Sequence, residues 1–225
     1  MNLACLIVKF AALLSVICKY KIMSNIAIFA SGSGSNAEQI IRYFAEDRDV
    51  HVVRLLCNKP GAYVLERARK LNIRSTLFNR ETFYQTESIL EELHSVSADL
   101  IVLAGFLWMI PDYLLKSFPG RIVNIHPALL PDFGGRGMYG MRVHEEVIRT
   151  GQKKSGITIH LVDEHYDNGR IVFQAECPVL PDDTPDSLAT RIHALEHRYY
   201  PQVIREYLAG SLLPAGTSQI PPGNF

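Results

Sequence analysis

Between residues 25 and 125 short apolar runs alternate with amphipathic stretches, and that alternation leaves few folds open. Residues 25–30 (NIAIFA), 51–57, 74–78, 100–104 and 121–125 read as strands. Residues 36–44, 62–71, 82–94 and 111–118 read as helices. The first of these puts Ile40, Ile41 and Phe44 on one face; the second carries Val64, Leu65, Ala68 and Leu71 at helical spacing. Strand and helix in turn call for a parallel sheet with right-handed crossovers. Strands covered on both faces carry continuous apolar runs, as these do. The expected fold is α/β, a doubly wound, mostly parallel sheet flanked by helices.

After residue 125 the pattern changes. Residues 134–140 (GGRGMYG) form a glycine-rich loop and 141–149 a helix. Strands at 156–162 and 171–178 flank a polar segment, 163–170; they pair as a hairpin or each join the main sheet. A long final helix over 185–208 takes Thr184 or Asp183 as its cap. With 225 residues, 48% of them hydrophobic, the chain suits one domain or two small ones. Residues 23–210 are taken as that domain and 211–225 as a loose tail. The apolar stretch 1–22 is interrupted by Lys9 and is followed by Met23, so it reads as a start site placed too early. A signal or anchor, or a true extension, are the alternatives.

Lys+Arg and Asp+Glu balance at 23 each, which favours neither a nucleic-acid nor a membrane-surface partner. Cys5, Cys18, Cys57 and Cys177 form no CxxC or Cys/His ligand spacing. That indicates no metal site and fits a reducing, cytoplasmic compartment.

The first strand runs into Ser31-Gly32-Ser33-Gly34-Ser35-Asn36 and then a helix. Ligands bind at that position in a doubly wound sheet, and free N–H groups at a helix start suit a phosphate. The spacing is neither GxGxxG nor a P-loop; a tight turn capped by Asn36 is the plainer alternative. The fifth strand ends in Asn124-Ile125-His126-Pro127. Residues two apart in extended backbone share a side, and Pro127 turns the chain out of the sheet. Asn124 can donate to an oxyanion and His126 can carry a proton. Asp167, before Gly169, would raise the pKa of a neighbouring histidine and orient it. A strand-end polar residue and a turn aspartate are the ordinary readings of these residues taken singly.

Together these segments resemble the phosphoribosylglycinamide formyltransferase family of folate-dependent formyltransferases. Leu103-Ala104-Gly105-Phe106, Leu129-Leu130-Pro131, the 163–169 loop, Glu196-His197 and Tyr200-Pro201 carry the resemblance further, over residues 23–208. It implies a Rossmann-like fold, 10-formyltetrahydrofolate as co-substrate and glycinamide ribonucleotide as acceptor, in purine biosynthesis. It implies Asn124, His126 and Asp167 as the catalytic trio. Gly34, Ser35 and Asn36 would hold the acceptor's phosphate, and Glu196 its ribose. Arg80, Leu107, Trp108, Met109, Ile110, Asp163 and Asn124 would meet the folate. Residues 132–140 depart from the family's short Pro-Gly loop. Neither a membrane nor a nucleic acid is expected as partner, and a homodimer stays open.

The expected chemistry is direct amine attack on the formyl carbon, with the oxyanion held by Asn124 and a protonated His126. A formylfolate hydrolase, a formyltransferase acting on aminoacyl-tRNA, and a non-catalytic nucleotide-binding module are the competing readings.

Overall fold

The computed structural model describes residues 23–211. The readings made for 1–22 and for the tail beyond 211 lie outside the described residues. The first half runs β1 (Ser24–Ala30), α1 (Ser35–Tyr43), β2 (Val50–Cys57), α2 (Tyr63–Lys70), β3 (Ser75–Leu77), α3 (Arg80–Tyr84), α4 (Ser88–Ser95) and β4 (Leu100–Leu103). There follow α5 (Asp112–Ser117), β5 (Ile122–His126), α6 (Met141–Arg149), β6 (Lys154–Leu161), β7 (Ile171–Pro178) and α7 (Pro185–Leu208).

One seven-stranded sheet has the order β3-β2-β1-β4-β5-β6-β7. The first five strands are parallel. β6 then runs antiparallel to β5, and β7 antiparallel to β6. The strand pair is thus both a hairpin and part of the main sheet. The strand order reverses between β1 and β4, and a crevice opens there at the carboxyl ends of the strands.

Alternate β1 residues feed two cores. Ile26, Ile28 and Ala30 pack with α1, α2 and α7. Ala27 and Phe29 pack on the other face, with Phe83 of α3, Leu93 of α4 and Leu114 of α5. These five of the seven β1 residues are fully buried. This two-sided burial is why the strand reads as an unbroken apolar run.

Two local expectations are corrected. The single helix expected over 82–94 is two helices, α3 and α4. Thr82 is engaged in a capping box with Asn79. The Thr86 hydroxyl donates to the Thr82 carbonyl at 2.9 Å, and such side-chain bonds compete with helix propagation. Asn36 does not cap α1: the N-cap is Gly34 at φ 77°, and Asn36 lies inside the first turn. For α7 the cap is Thr184, which forms a capping box with Ser187. Asp183 holds Arg191 instead, at 2.8 Å.

Candidate active site

The crevice is a cavity of about 630 Å³ lined by the 32–36 turn, by the 104–107 segment, by Asn124, His126 and Asp167, by the 135–142 loop, and by His193 and Glu196 of α7. The structure therefore brings the proposed catalytic and acceptor-binding residues to one space. Leu107 also lines it, whereas Arg80, Trp108, Met109, Ile110 and Asp163 do not. Ile110 belongs to the second core. Trp108 packs edge-on against Phe78, and the Arg80 guanidinium lies 5.4 Å over its ring. Asp163 accepts from the backbone of His165, bracing the loop that carries Asp167.

The 32–36 turn is set by backbone. A Cβ at Gly34 would collide with Val64 of α2, and its φ of 77° is one that other side chains rarely adopt. Arg67 of α2 donates to the Ser33 carbonyl at 2.9 Å and pairs with Glu38. Asn36 donates to Glu196 Oε2 at 2.9 Å, and His193 Nδ1 stands 2.9 Å from the same oxygen. Asn36 Oδ1 is buried without a partner.

The other wall is set by side chains on paired strands. Asn124 lies opposite His160 in the β5–β6 ladder, and His126 opposite Thr158. Thr158 Oγ1 accepts from Leu130 N at 2.9 Å and donates to Ala128 O at 2.7 Å. Gln174 of β7 donates to Leu130 O at 3.0 Å. The chain leaving β5 after Pro127 is thereby pinned to the hairpin. A register shift at Ile159/His160 re-aims the strand beside the site.

Asp167 is the hub. Its Oδ1 is 3.5 Å from Asn124 Nδ2 and 3.7 Å from His160 Nε2. Its Oδ2 is 3.5 Å from His126 Nδ1 and accepts from Gly135 N at 3.0 Å. Asp167 sits at φ 51° and Phe133 at φ 56°, both in the left-handed region that costs non-glycine residues energy. Burial alone would raise the Asp167 carboxyl; the His160 and His126 rings and the Gly135 N–H together carry it below its usual range.

His126 is 3% exposed, and its Nε2–H donates to the Phe133 carbonyl at 2.7 Å. Burial pushes its pKa down, and the Asp167 charge opposes this without prevailing. The expectation that Asp167 keeps His126 protonated is thus corrected: in this site the neutral ring is favoured.

One residue was missed by sequence reasoning. His160 is 2% exposed and stands 3.1 Å from Asn124 Nδ2. Its Nδ1 donates to Leu161 O at 2.8 Å, which leaves Nε2 as the acceptor for the Asn124 amide. The signal was present only as strand register: with β6 antiparallel to β5, His160 falls opposite Asn124.

The match to known proteins agrees with this geometry. A family model described as "Formyl transferase" matches residues 24–204. The chain is 40% identical over 191 residues to phosphoribosylglycinamide formyltransferase of Bacillus subtilis (strain 168), covering 83% of this chain and 95% of that one. It is 40% identical over 187 residues to the chloroplastic enzyme of that name from Arabidopsis thaliana, covering 80% of this chain and 64% of the longer relative. Among solved structures, glycinamide ribonucleotide transformylase 1 from Symbiobacterium toebii superposes with a TM-score of 0.79 at 34% identity, over 88% of this chain and 93% of that one. With its mostly parallel sheet, its cavity at the strand-order switch and these matches, the chain belongs to the formyl transferase family, among the phosphoribosylglycinamide formyltransferases.

Proposed function

We propose that the protein transfers a formyl group from 10-formyltetrahydrofolate to the amine of glycinamide ribonucleotide, a step of purine biosynthesis. The observation that carries this reading is the Asp167 hub, which holds Asn124 and His126 in the same cavity as the 32–36 turn.

The acceptor's phosphate is assigned to the N–H groups of Gly34, Ser35 and Asn36 at the start of α1, where the helix dipole favours an anion. Its ribose is assigned to Glu196, beside Asn36. The folate ring is assigned to the 107–110 segment, where Leu107 and Met109 are exposed, with the 163–167 loop against it. Arg80, held over Trp108 and Tyr84, is placed to meet the folate's carboxylates.

The acceptor's amine lone pair attacks the formyl carbon. A new C–N bond forms and the carbonyl oxygen takes the negative charge. One Asn124 N–H is committed to His160; the other meets Asp167 only at 3.5 Å and is the donor available to that oxygen. The His126 Nε2–H joins it by exchanging the Phe133 carbonyl for the oxyanion; bonds of this kind tighten as substrate enters. Asp167, ionised, takes the proton released by the amine. As the oxyanion re-forms the carbonyl and the bond from formyl carbon to folate nitrogen breaks, that proton is handed on to the leaving folate nitrogen.

The test is a transfer assay with both substrates. The proposal expects formylated glycinamide ribonucleotide in step with free tetrahydrofolate. Formate released to water as the main product, or formyl passed only to aminoacyl-tRNA, would overturn it. Binding of the ribonucleotide without binding of a folate analogue would leave only a nucleotide-binding module.

A further inference from the structure

The 134–140 loop enters the proposed transfer chemistry only through the Gly135 N–H that braces Asp167, yet it and the first turn of α6 form a wall of the same cavity. Two cations stand on that wall, Arg136 and Arg142, and among the described residues they are the only Lys or Arg lining the cavity. Among the described residues neither guanidinium meets a carboxylate or a hydrogen-bond acceptor; that of Arg142 rests 5.5 Å over the Tyr139 ring. The nearby cations are committed elsewhere: Arg67 pairs with Glu38, and His193 is bonded to Glu196.

Charge on a bound phosphate exceeds what the backbone turn can offset. A phosphate monoester carries roughly −1.5 to −2 at neutral pH. The N-terminus of α1 supplies about +0.5. More than one unit of charge stays uncompensated by the 32–36 turn, which holds no cation.

The placement of Arg142 is a second, independent sign. Helix α6 has no acidic residue in its first turn, whereas α1, α2 and α7 carry Glu38, Glu66 and Asp186 there. An arginine beside the positive end of a helix is electrostatically unfavourable unless an anion joins it. In the same turn, His144 lines the cavity, is 2% exposed and has a buried Nδ1 without a partner. A buried polar atom left unpaired is costly, and a ligand in the cavity is the partner missing from this turn.

We infer that Arg136 and Arg142 are the cationic half of the acceptor's phosphate site, completing the neutral Gly34–Asn36 turn. This rests on the assignment of glycinamide ribonucleotide as acceptor. The glycine-rich loop thereby carries the two guanidinium groups to an anion that the backbone turn holds by hydrogen bonds alone.

The experiment compares wild type with Arg136→Ala, Arg142→Ala, the double variant and the double Arg→Lys variant. The acceptors are glycinamide ribonucleotide and the corresponding riboside, which lacks the phosphate. The double Ala variant is expected to raise the KM for the ribonucleotide by about 10- to 100-fold, since a charge-assisted hydrogen bond is worth ~1.5–3 kcal/mol and 1.4 kcal/mol is about tenfold. The riboside KM is expected to be the same in wild type and variant, and the Lys variant to recover part of the loss. Added salt should weaken ribonucleotide binding more in wild type than in the double Ala variant. An unchanged ribonucleotide KM, or an equal rise for the riboside, overturns the assignment; so does a rise confined to formylfolate, which would place the arginines at the folate's carboxylates. Wild type that formylates neither acceptor would refute the functional reading itself. Wild type that is active on the ribonucleotide while the double variant matches it refutes only the arginines' role. Both residues are exposed, so loss of folding does not blur the comparison.

Discussion

The two principal walls of the cavity are built in different ways. The 32–36 turn belongs to the parallel half of the sheet and works through backbone: a left-handed Gly34, a helix start, and an arginine that props the loop from behind. The opposite chemistry belongs to the antiparallel end, where buried side chains converge because strands β5 and β6 are in one register. A backbone wall tolerates changes of side chain but not of φ. A side-chain wall tolerates neither loss of a functional group nor a slip of the ladder, because a one-residue slip turns every side chain to the other face.

The largest expected effect tests that contrast directly. Asn124→Ala should lower kcat by about 100- to 1000-fold, the cost of removing one oxyanion donor. His126→Ala should fall in the same range or beyond, and Asp167→Asn should also lose turnover while still binding a folate analogue. Ser35→Ala, on the backbone wall, should leave kcat near wild type, with its effect confined to acceptor KM. Steady-state kinetics on both substrates reads this split. Near wild-type turnover in Asn124→Ala would remove the side-chain wall from the chemistry.

Acid sensitivity comes next, and at the cavity it should sit on the side-chain wall and α6. Burial, with the neighbouring His193, pushes His144 down to about 4; Glu196 acts in the other direction. The unfolded chain therefore binds a proton below about 6.5 that the folded chain refuses until about 4. Stability present above 6.5 is lost as pH falls through that window, by about 3 kcal/mol at most. His126 adds a loss of the same sign. Asp167, depressed, acts lower down: its contribution holds above the usual carboxylate range and is lost as pH falls through its folded value. Denaturant titrations from about pH 7 to about pH 4 should show a shallower decline in His144→Phe than in wild type. Equal slopes would mean that His144 is protonated in the folded protein.

The backbone wall is broken by Gly34→Ala. The new methyl meets Val64 and the φ of 77° is strained, at a cost of about 1–3 kcal/mol. A lower melting temperature and a raised acceptor KM are expected together, with kcat in the assembled complex largely kept. A variant unchanged in both would show that the turn is freer than its contacts with α2 imply.

Legibility in the sequence follows the same division. The parallel half was readable because its central strands β1 and β4 are apolar runs and the helices keep their spacing; β1, β2 and β4 lie within a residue or two of their expected bounds. The failure there was the break between α3 and α4, where Thr82 and Thr86 spend hydroxyls on backbone in a segment whose apolar spacing continues. At the antiparallel end the strands were readable but their pairing was not, since a hairpin and two separate additions to the sheet give the same pattern. His160 was hidden for that reason: nothing in the letters of β6 distinguishes it from Thr158. The charge state of His126 was hidden too, because an aspartate is visible in a sequence whereas the burial that outweighs it is not.

His160→Phe is the smallest of these effects and the sharpest test of register. His160 makes no claim on either substrate in the proposed scheme; it acts by accepting one Asn124 N–H, leaving the other, which meets Asp167 Oδ1 only at 3.5 Å, for the oxyanion. Phenylalanine keeps a buried ring and deletes the acceptor. The Asn124 amide is then free to rotate, and loss of one such bond, ~1–1.5 kcal/mol, should reduce kcat about tenfold while both KM values hold. A residue that only filled space would lower the melting temperature without touching kcat. His160→Gln offers a carbonyl oxygen where Nε2 stood and should restore part of the rate. Rescue by glutamine but not by phenylalanine ties the Asn124 amide to the β5–β6 register; equal turnover in all three proteins would show that Asn124 is held by Asp167 alone.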